Sequence, residues 1–165
     1  MTTSRDPNDY RACVGVVLFN KNREVFLGHR NGAIGDYVWQ FPQGGMDKGE
    51  APREAALREL QEETGVLPSQ VTELGSTDDW LYYEFPTDFK HSEKARGKIG
   101  QRQKWFAFLL QGSDDQIDLE ADDEVEFSDW RWGTLKGAVD LIVPFKRNVY
   151  ERIACEFEAF SKPHE

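Results

Sequence analysis

At 165 residues and 19.0 kDa the chain has the length of one ordinary domain, with enough apolar residues to bury a core. A formal net charge of −10 and a pI of about 4.8 exclude whole-surface attraction to nucleic acid. The two cysteines, Cys13 and Cys155, lie in apolar runs without metal-ligand spacing, which argues against a disulfide framework or zinc site and for a reducing compartment.

In chain order, the opening MTTSRDPNDYR is polar, and residues 1–9 are expected to be flexible. The longest apolar run, around Cys13 to Phe19, is too short for a signal or membrane segment, so a cytoplasmic chain with no membrane partner is expected. RACVGVVLF and EVFLGHR flank Asn20-Lys21-Asn22-Arg23 and predict a hairpin, followed by a short strand at Val38-Trp39-Gln40-Phe41. A loop from Gln43 to Gly49 feeds a helix in which Pro52 suits the first turn and Gly65 the stop. Leu57 and Leu60, with Ala56, supply its apolar face. Strands are predicted at Trp80 to Phe85, Lys104 to Leu110 and Glu126 to Trp132, and a short helix at Leu135 to Leu141. Phe145 to Phe160 has helical spacing, with Val149, Ile153, Phe157 and Phe160 as its buried stripe. The whole predicts an α/β fold of one domain, residues 1–165, in which a mixed sheet lies between helices as an α/β/α sandwich.

The helix after Pro52 carries the chemistry. At about 100° per residue, Glu59, Glu62 and Glu63 fall within one arc, and Glu54 points nearly the opposite way into solvent. Three carboxylates on one face repel one another unless a cation sits among them, and hard oxygen ligands suit Mg²⁺ or Mn²⁺. Helical phase places all three outward, exposed, away from the apolar face. Arg58 and Glu62 stand four apart and can pair, which would hold that carboxylate ionised. Glu50, just before the helix, either complements the positive end of the helix dipole or is a helix-start residue without a further role.

Five residues separate Gly44 from Glu50, seven separate Glu50 from Arg58-Glu59, and the stretch closes on Gly65-Val66. This spacing resembles the Nudix hydrolase signature at every defined position. The resemblance implies a Nudix-type sandwich and an enzyme that hydrolyses phosphoanhydrides with two to three divalent ions, Mg²⁺ or Mn²⁺. The Gly44 carbonyl and Glu59, Glu62 and Glu63 would be the metal ligands, with Arg58 among the catalytic residues and Glu50 and Gly65 as structural positions of the box. Family members often recruit an acid from outside the box. Glu126, at the head of its strand, is the candidate for a metal-facing acid, with a solvated loop as the competing reading for it and for Asp122, Asp123 and Glu124. Which glutamate acts as general base stays open, with Glu59 first.

Beyond the box, YRACVGVVLFN, WQFPQGG, STDDWLYYEFP, GQRQKWF, EFSDWRW and FKRNVY resemble one subgroup, the bacterial RNA pyrophosphohydrolases and the asymmetric diadenosine tetraphosphate hydrolases of bacteria and plants. Ala12-Cys13 departs from that subgroup's usual Pro-Asn, and residues 31 to 37 lie in a stretch that varies among its members. The resemblance implies conversion of the 5′-triphosphate end of RNA to a 5′-monophosphate with release of pyrophosphate, a step in mRNA decay, on 5′-triphosphorylated or 5′-diphosphorylated ends. Hydrolysis of dinucleoside polyphosphates is the alternative. A silent module that only binds RNA or protein is a third reading, which loss of a box carboxylate would mark, and none is lost. RNA-end contacts map onto Arg11, Arg30, Phe145 and Lys146, where an arginine and a ring would sandwich a base and basic groups would hold phosphates. Phe145 is either that platform or ordinary core. Gln43 either positions phosphate or ribose or caps backbone. Trp130 and Trp132 share one strand face and read as core, and His29 and His91 as non-catalytic. Lys90, Lys94, Arg96, Lys98, Arg102 and Lys104 allow a local positive patch, with a mobile, solvated surface loop as the competing reading for residues 90 to 98.

Overall fold

The structure, a computed structural model, describes residues 5–162 apart from the Lys94 side chain. It is built on two long strands, β1 (Tyr10–Phe19) and β7 (Gly100–Leu110), which run parallel from Tyr10 opposite Gly100 to Phe19 opposite Leu109. β1 from Cys13 to Phe19 and β7 from Trp105 to Leu110 are apolar on successive residues rather than alternately. That pattern belongs to a strand covered on both faces. β2 (Val25–Arg30) flanks β1, and β3 (Trp39–Gln40) and β8 (Phe127–Gly133) pair with β2. β4 (Gln43–Gly45) returns antiparallel onto β1, while β5 (Val71–Ser76) and β6 (Leu81–Glu84) pair with the two halves of β7.

Helix α1 (Pro52–Thr64) covers one face of this mixed sheet, where Ala55, Ala56 and Leu60 pack with Val14, Val16, Leu18 and Phe106. On the other face, after the four-residue α2 (Thr87–Lys90), α3 (Leu135–Leu141) and α4 (Arg147–Glu156) enclose Val17, Phe19, Phe41 and Trp105 together with Val149, Ile153 and Phe157. The expected α/β/α sandwich is the result. Trp130 and Trp132 share a face and pack against Phe26, in line with the core reading. Residues 1–4 of the segment expected to be flexible lie outside the described residues, and Pro7–Asp9 form a 3-10 turn leading into β1.

Three expectations are corrected. The β1–β2 hairpin closes only at Phe19 opposite Val25, because β1 spends its remaining edges on β7 and β4. A strand at Val71–Ser76 joins the sheet unforeseen, and the expected 145–160 helix is regular only over Arg147–Glu156, with 3-10 turns at Pro144–Lys146 and Glu158–Ser161. Part of the predicted loop at Gln43 is instead the strand β4. Among the described residues no helix is long and apolar enough to cross a membrane.

One buried hydrogen bond ties α4 to the chain that leads into β4: the Phe41 amide donates to the Tyr150 hydroxyl at 3.0 Å, and the two rings stack with centroids 4.8 Å apart. Tyr150→Phe strands that amide in the core. The expected cost is about 1–3 kcal/mol of unfolding free energy in urea titration. An unchanged midpoint would show that the bond contributes nothing.

Candidate active site

The site begins with the way the chain enters α1. Ala51, the N-cap, offers no side-chain cap, and Glu50 does not lie along the helix dipole as a free charge. Its carboxylate receives the Arg58 guanidinium in a two-point pair, Nε donating to Oε2 at 2.8 Å and Nη2 to Oε1 at 2.9 Å, and the Asp47 amide donates to Oε1 at 2.9 Å. Arg58 Nη2 also donates to the Gly45 carbonyl at 2.8 Å. A planar guanidinium suits this fork, which fixes the loop against the helix. The pair holds the Glu50 carboxyl below its ordinary range and the Arg58 guanidinium above its own. The expected Arg58–Glu62 pair is therefore secondary: Nη1 reaches Glu59 at 3.0 Å and both Glu62 oxygens only at 3.3 Å.

With the loop so held, β4 lies across one edge of α1, and the outward placement expected of the three glutamates fails. Glu63 is only 6% exposed and accepts the Gln43 amide at 3.0 Å. Glu59 is half-buried against the backbone of Gly44, where a β-carbon would stand 2.1 Å from the Glu59 carboxyl carbon. Any side chain at position 44 would displace that carboxylate. Glu62 is half-buried at the rim, and Glu54 is exposed on the far side as expected. Gly65 ends the helix at φ +76°, donating to the Gln61 carbonyl at 2.9 Å, in a conformation that suits a residue without a β-carbon.

Burial, together with repulsion from Glu62 and Glu126, pushes the Glu59 carboxyl up to about 7 against the pull of Arg58. Glu63 is pushed well above the usual range, first by burial and then by Glu59 and Glu126. Glu126 is exposed just before β8, and its carbonyl accepts the Asn31 amide at 2.8 Å. Its charge reaches both Glu59 and Glu63. Among the described residues no three His, Cys, Asp or Glu side chains close around one point, because Glu59 and Glu62 turn to Arg58 and Glu63 to the Gln43 amide. The donor chemistry still fits hard cations: partly desolvated carboxylates that raise one another's proton affinity are relieved by a positive charge placed among them.

Facing these acids is a cationic and aromatic wall. Lys146 is half-buried, its amine brought down to about 8 by burial and by the neighbouring Arg30 charge, with Glu126 and Glu63 acting in the other direction. Its Nζ lies 5.5 Å from the centroid of the Tyr83 ring and 5.9 Å from that of Phe145. Phe145 is 39% exposed with its ring 5.7 Å from Tyr83, so it is no ordinary core residue. Arg30 donates through Nη2 to the Tyr37 carbonyl, and the Arg11 guanidinium lies against the Gly45 backbone, 2.3 Å from where a β-carbon would stand. The Gln43 side chain accepts from Gln103 Nε2 at 3.0 Å. Gln103 itself is buried, donates also to Gln101 Oε1 at 2.9 Å and accepts Trp105 Nε1 at 2.9 Å. This chain of amides went unrecognised from sequence, where only the alternation in GQRQKWF hinted that Gln101, Gln103 and Trp105 share a face. Cys13 is buried beneath it with its thiol pushed up to about 11, and Cys155 is exposed; both are free. His29 contacts the Arg30 carbonyl and the Trp39 ring edge, and His91 is exposed.

The NUDIX domain family matches residues 9–153 of this chain. An RNA pyrophosphohydrolase of Caulobacter vibrioides is 48% identical over 161 residues, spanning 97% of this chain and 92% of the relative. An RNA pyrophosphohydrolase of Azorhizobium caulinodans is 46% identical over 161 residues, covering 92% of this chain and 94% of its own length. Among solved structures, the E. coli dihydroneopterin triphosphate pyrophosphohydrolase superposes with a TM-score of 0.68 at 22% identity, over 89% of this chain and 98% of that one. A C. elegans Ap4A hydrolase in a binary complex superposes at 0.64 and 21% identity, over 90% and 98%. Structural likeness at these identities carries the fold, and the long sequence matches carry the family: the chain belongs to the Nudix family.

Proposed function

We propose that this chain is an RNA 5′-pyrophosphohydrolase, converting 5′-triphosphate or 5′-diphosphate ends to a 5′-monophosphate in the cytoplasm, residues 1–165 acting as one domain. The observation that carries this reading is the pairing of two unlike walls. Glu63, buried, and Glu59, half-buried, repel one another, and Glu63 with Glu126 lies within electrostatic reach of Lys146, which stands against the exposed Phe145 ring and the buried Tyr83 ring. A polyphosphate attached to a base needs both. Relatives 46–48% identical over most of the chain bear the name RNA pyrophosphohydrolase, which favours RNA ends over the alternative. Dinucleoside polyphosphate hydrolysis keeps its place as the second reading, since the same platform accepts adenosine and the fold is shared with an Ap4A hydrolase.

Nudix hydrolases use divalent ions, and here two to three Mg²⁺ or Mn²⁺ would be held by the Gly44 carbonyl with Glu59, Glu62, Glu63 and Glu126. When bound, they supply neutralisation of phosphate charge and acidification of water. The chain's own residues do the rest. Among the three helix glutamates Glu59, which lies against the Gly44 backbone, stands first as general base. Arg58, clamped by Glu50, holds Glu62 and Glu59 in place. Arg11 and Lys146 bind phosphate oxygens, Gln43, braced by Gln103, orients the ribose end, and Phe145 with Arg30 stacks the base.

Glu59→Gln, Glu62→Gln and Glu63→Gln are each expected to lower kcat on the order of 10³-fold, with Glu54→Gln neutral and Glu126→Gln intermediate. The same carboxylates set a pH dependence without metal. Glu59 binds its proton more tightly folded, near 7, than at its ordinary 4.5, and Glu63 is raised too. Between those values the folded chain holds more protons than the unfolded one, so thermal stability falls as pH rises from 4.5 toward 7. Glu59→Gln and Glu63→Gln each flatten that slope. Two of the three retaining more than about half of wild-type kcat with saturating metal would remove the assigned site.

Substrate class is tested by offering the purified protein 5′-triphosphorylated RNA, 5′-diphosphorylated RNA and diadenosine tetraphosphate side by side with Mg²⁺ or Mn²⁺. The highest kcat/KM is expected on an RNA end, and Phe145→Ala should lower it by about 1–3 kcal/mol equivalent without unfolding the protein. A higher kcat/KM on diadenosine tetraphosphate would put the second reading first.

A further inference from the structure

Arg102 and Lys104, two members of the basic run between Phe89 and Trp105, take no part in the site above. Both project from β7 on the face opposite Gln101 and Gln103. The Arg102 guanidinium lies 4.1 Å from the centroid of the Trp80 ring, and Lys104 Nζ 5.4 Å from the same ring. Arg102 stands directly opposite Tyr82 across the β6–β7 ladder, and the Arg5 guanidinium lies 5.1 Å over the Tyr82 ring. Cation and ring thus alternate along one strip: Lys104, Trp80, Arg102, Tyr82, Arg5. Among the described residues none of the three cations is in a salt bridge with a carboxylate, and Arg102 Nε is buried without a hydrogen-bond partner. Arg102 and Lys104 are half-buried, Lys104 Nζ donates to the Asp78 carbonyl at 3.2 Å, and no carboxylate among the described residues neutralises either charge on a protein whose net charge is −10.

The strip is continuous with the Phe145 platform. A cleft of about 140 Å³ lined by Arg5, Tyr82, Tyr83, Glu84, Phe145 and Asn148 joins them. Tyr82 and Tyr83 are successive residues of β6 and point to opposite faces, so the cleft straddles the edge of the strand. Glu84, the one carboxylate in that lining, is paired with Lys90 at 3.1 Å.

We propose that this strip is a track for the single-stranded RNA that follows the 5′-end nucleotides. The proposal rests on the reading of the site as one that acts on RNA ends. Cations interleaved with aromatic faces are what an unpaired strand requires: phosphates meet the Arg and Lys groups, and unstacked bases lie on Trp80 and Tyr82 irrespective of their identity. A double helix has no free base faces to offer these rings, so unpaired strand is the occupant that fits. The track would make the enzyme sensitive to how many unpaired nucleotides follow the triphosphate.

Two variants test it, Trp80→Leu and the double variant Arg102→Gln with Lys104→Gln. Binding of a 5′-hydroxyl oligoribonucleotide of about eight nucleotides is followed by fluorescence anisotropy at low and moderate salt. In parallel, kcat/KM is compared on a triphosphorylated dinucleotide and on a triphosphorylated RNA of about eight nucleotides. Each variant is expected to weaken oligonucleotide binding and kcat/KM on the longer RNA by about tenfold, to leave the dinucleotide unchanged, and, for the double variant, to flatten the salt dependence. Equal losses on both lengths, or oligonucleotide binding unaltered by either variant, would overturn the track. If Trp80→Leu fails to fold, the double variant, at two half-buried positions of β7 that keep their polar side chains, decides. A wild type that turns over no triphosphorylated RNA, yet binds the oligonucleotide in a Trp80-dependent way, would remove the RNA-end reading and leave the track standing.

Discussion

The two-point pair between Arg58 and Glu50 is the contact on which the site depends. Arg58 joins the helix to the preceding segment twice over, through Glu50 and through the Gly45 carbonyl, and on the helix itself it holds Glu59. Because Gly45 is held, β4 stays on β1 and the Gln43 amide faces Glu63, while Gly44 lies flat against Glu59. The box spacing has a physical meaning here. Glu50 must precede the helix by enough residues to reach back over its second turn, and position 44 must lack a side chain so that backbone and carboxylate can touch.

Charge is distributed in two separate regions rather than averaged over the molecule. Acids collect on α1 and before β8, and cations collect around Lys146, Arg30 and Arg11 and again along β7. The two sets are near enough to perturb each other: Lys146 is held up by Glu126 and Glu63 against burial and Arg30. A substrate with several negative charges at one end and a base at the other fits such a divided cleft, and outside the basic regions the surface repels polyanions.

Much of this was legible from residues alone where the signal is local. Pro52 and Gly65 bracket α1, and Leu135 to Leu141 forms the expected short helix, because caps, prolines and helical periodicity act over a few residues. What failed was long-range. The parallel pairing of β1 with β7 joins segments some ninety positions apart, and nothing in RACVGVVLF distinguishes it from one arm of a hairpin. Val71–Ser76 is half-exposed at its place beside β7 and carries too weak an alternation to be recognised. The burial of Glu63 was invisible for the same reason: helical phase measures direction about an axis, not whether a neighbouring strand lies across that direction. For Phe145 the sequence leaves core and platform open, and its 39% exposure beside Tyr83, which argues against the core reading, depends on a long-range contact the sequence does not show.

The account therefore turns on whether the clamp organises the carboxylates, and Glu50→Gln addresses that directly, since it keeps the shape while removing the charge that holds Arg58. Mn²⁺ binding is measured by electron paramagnetic resonance titration of the wild type and the variant, with circular dichroism to confirm the fold. The expected result is a folded variant whose Mn²⁺ affinity drops about 10–100-fold, as for loss of a group that orients metal ligands from behind. A folded Glu50→Gln protein that binds Mn²⁺ as tightly as the wild type would contradict the account.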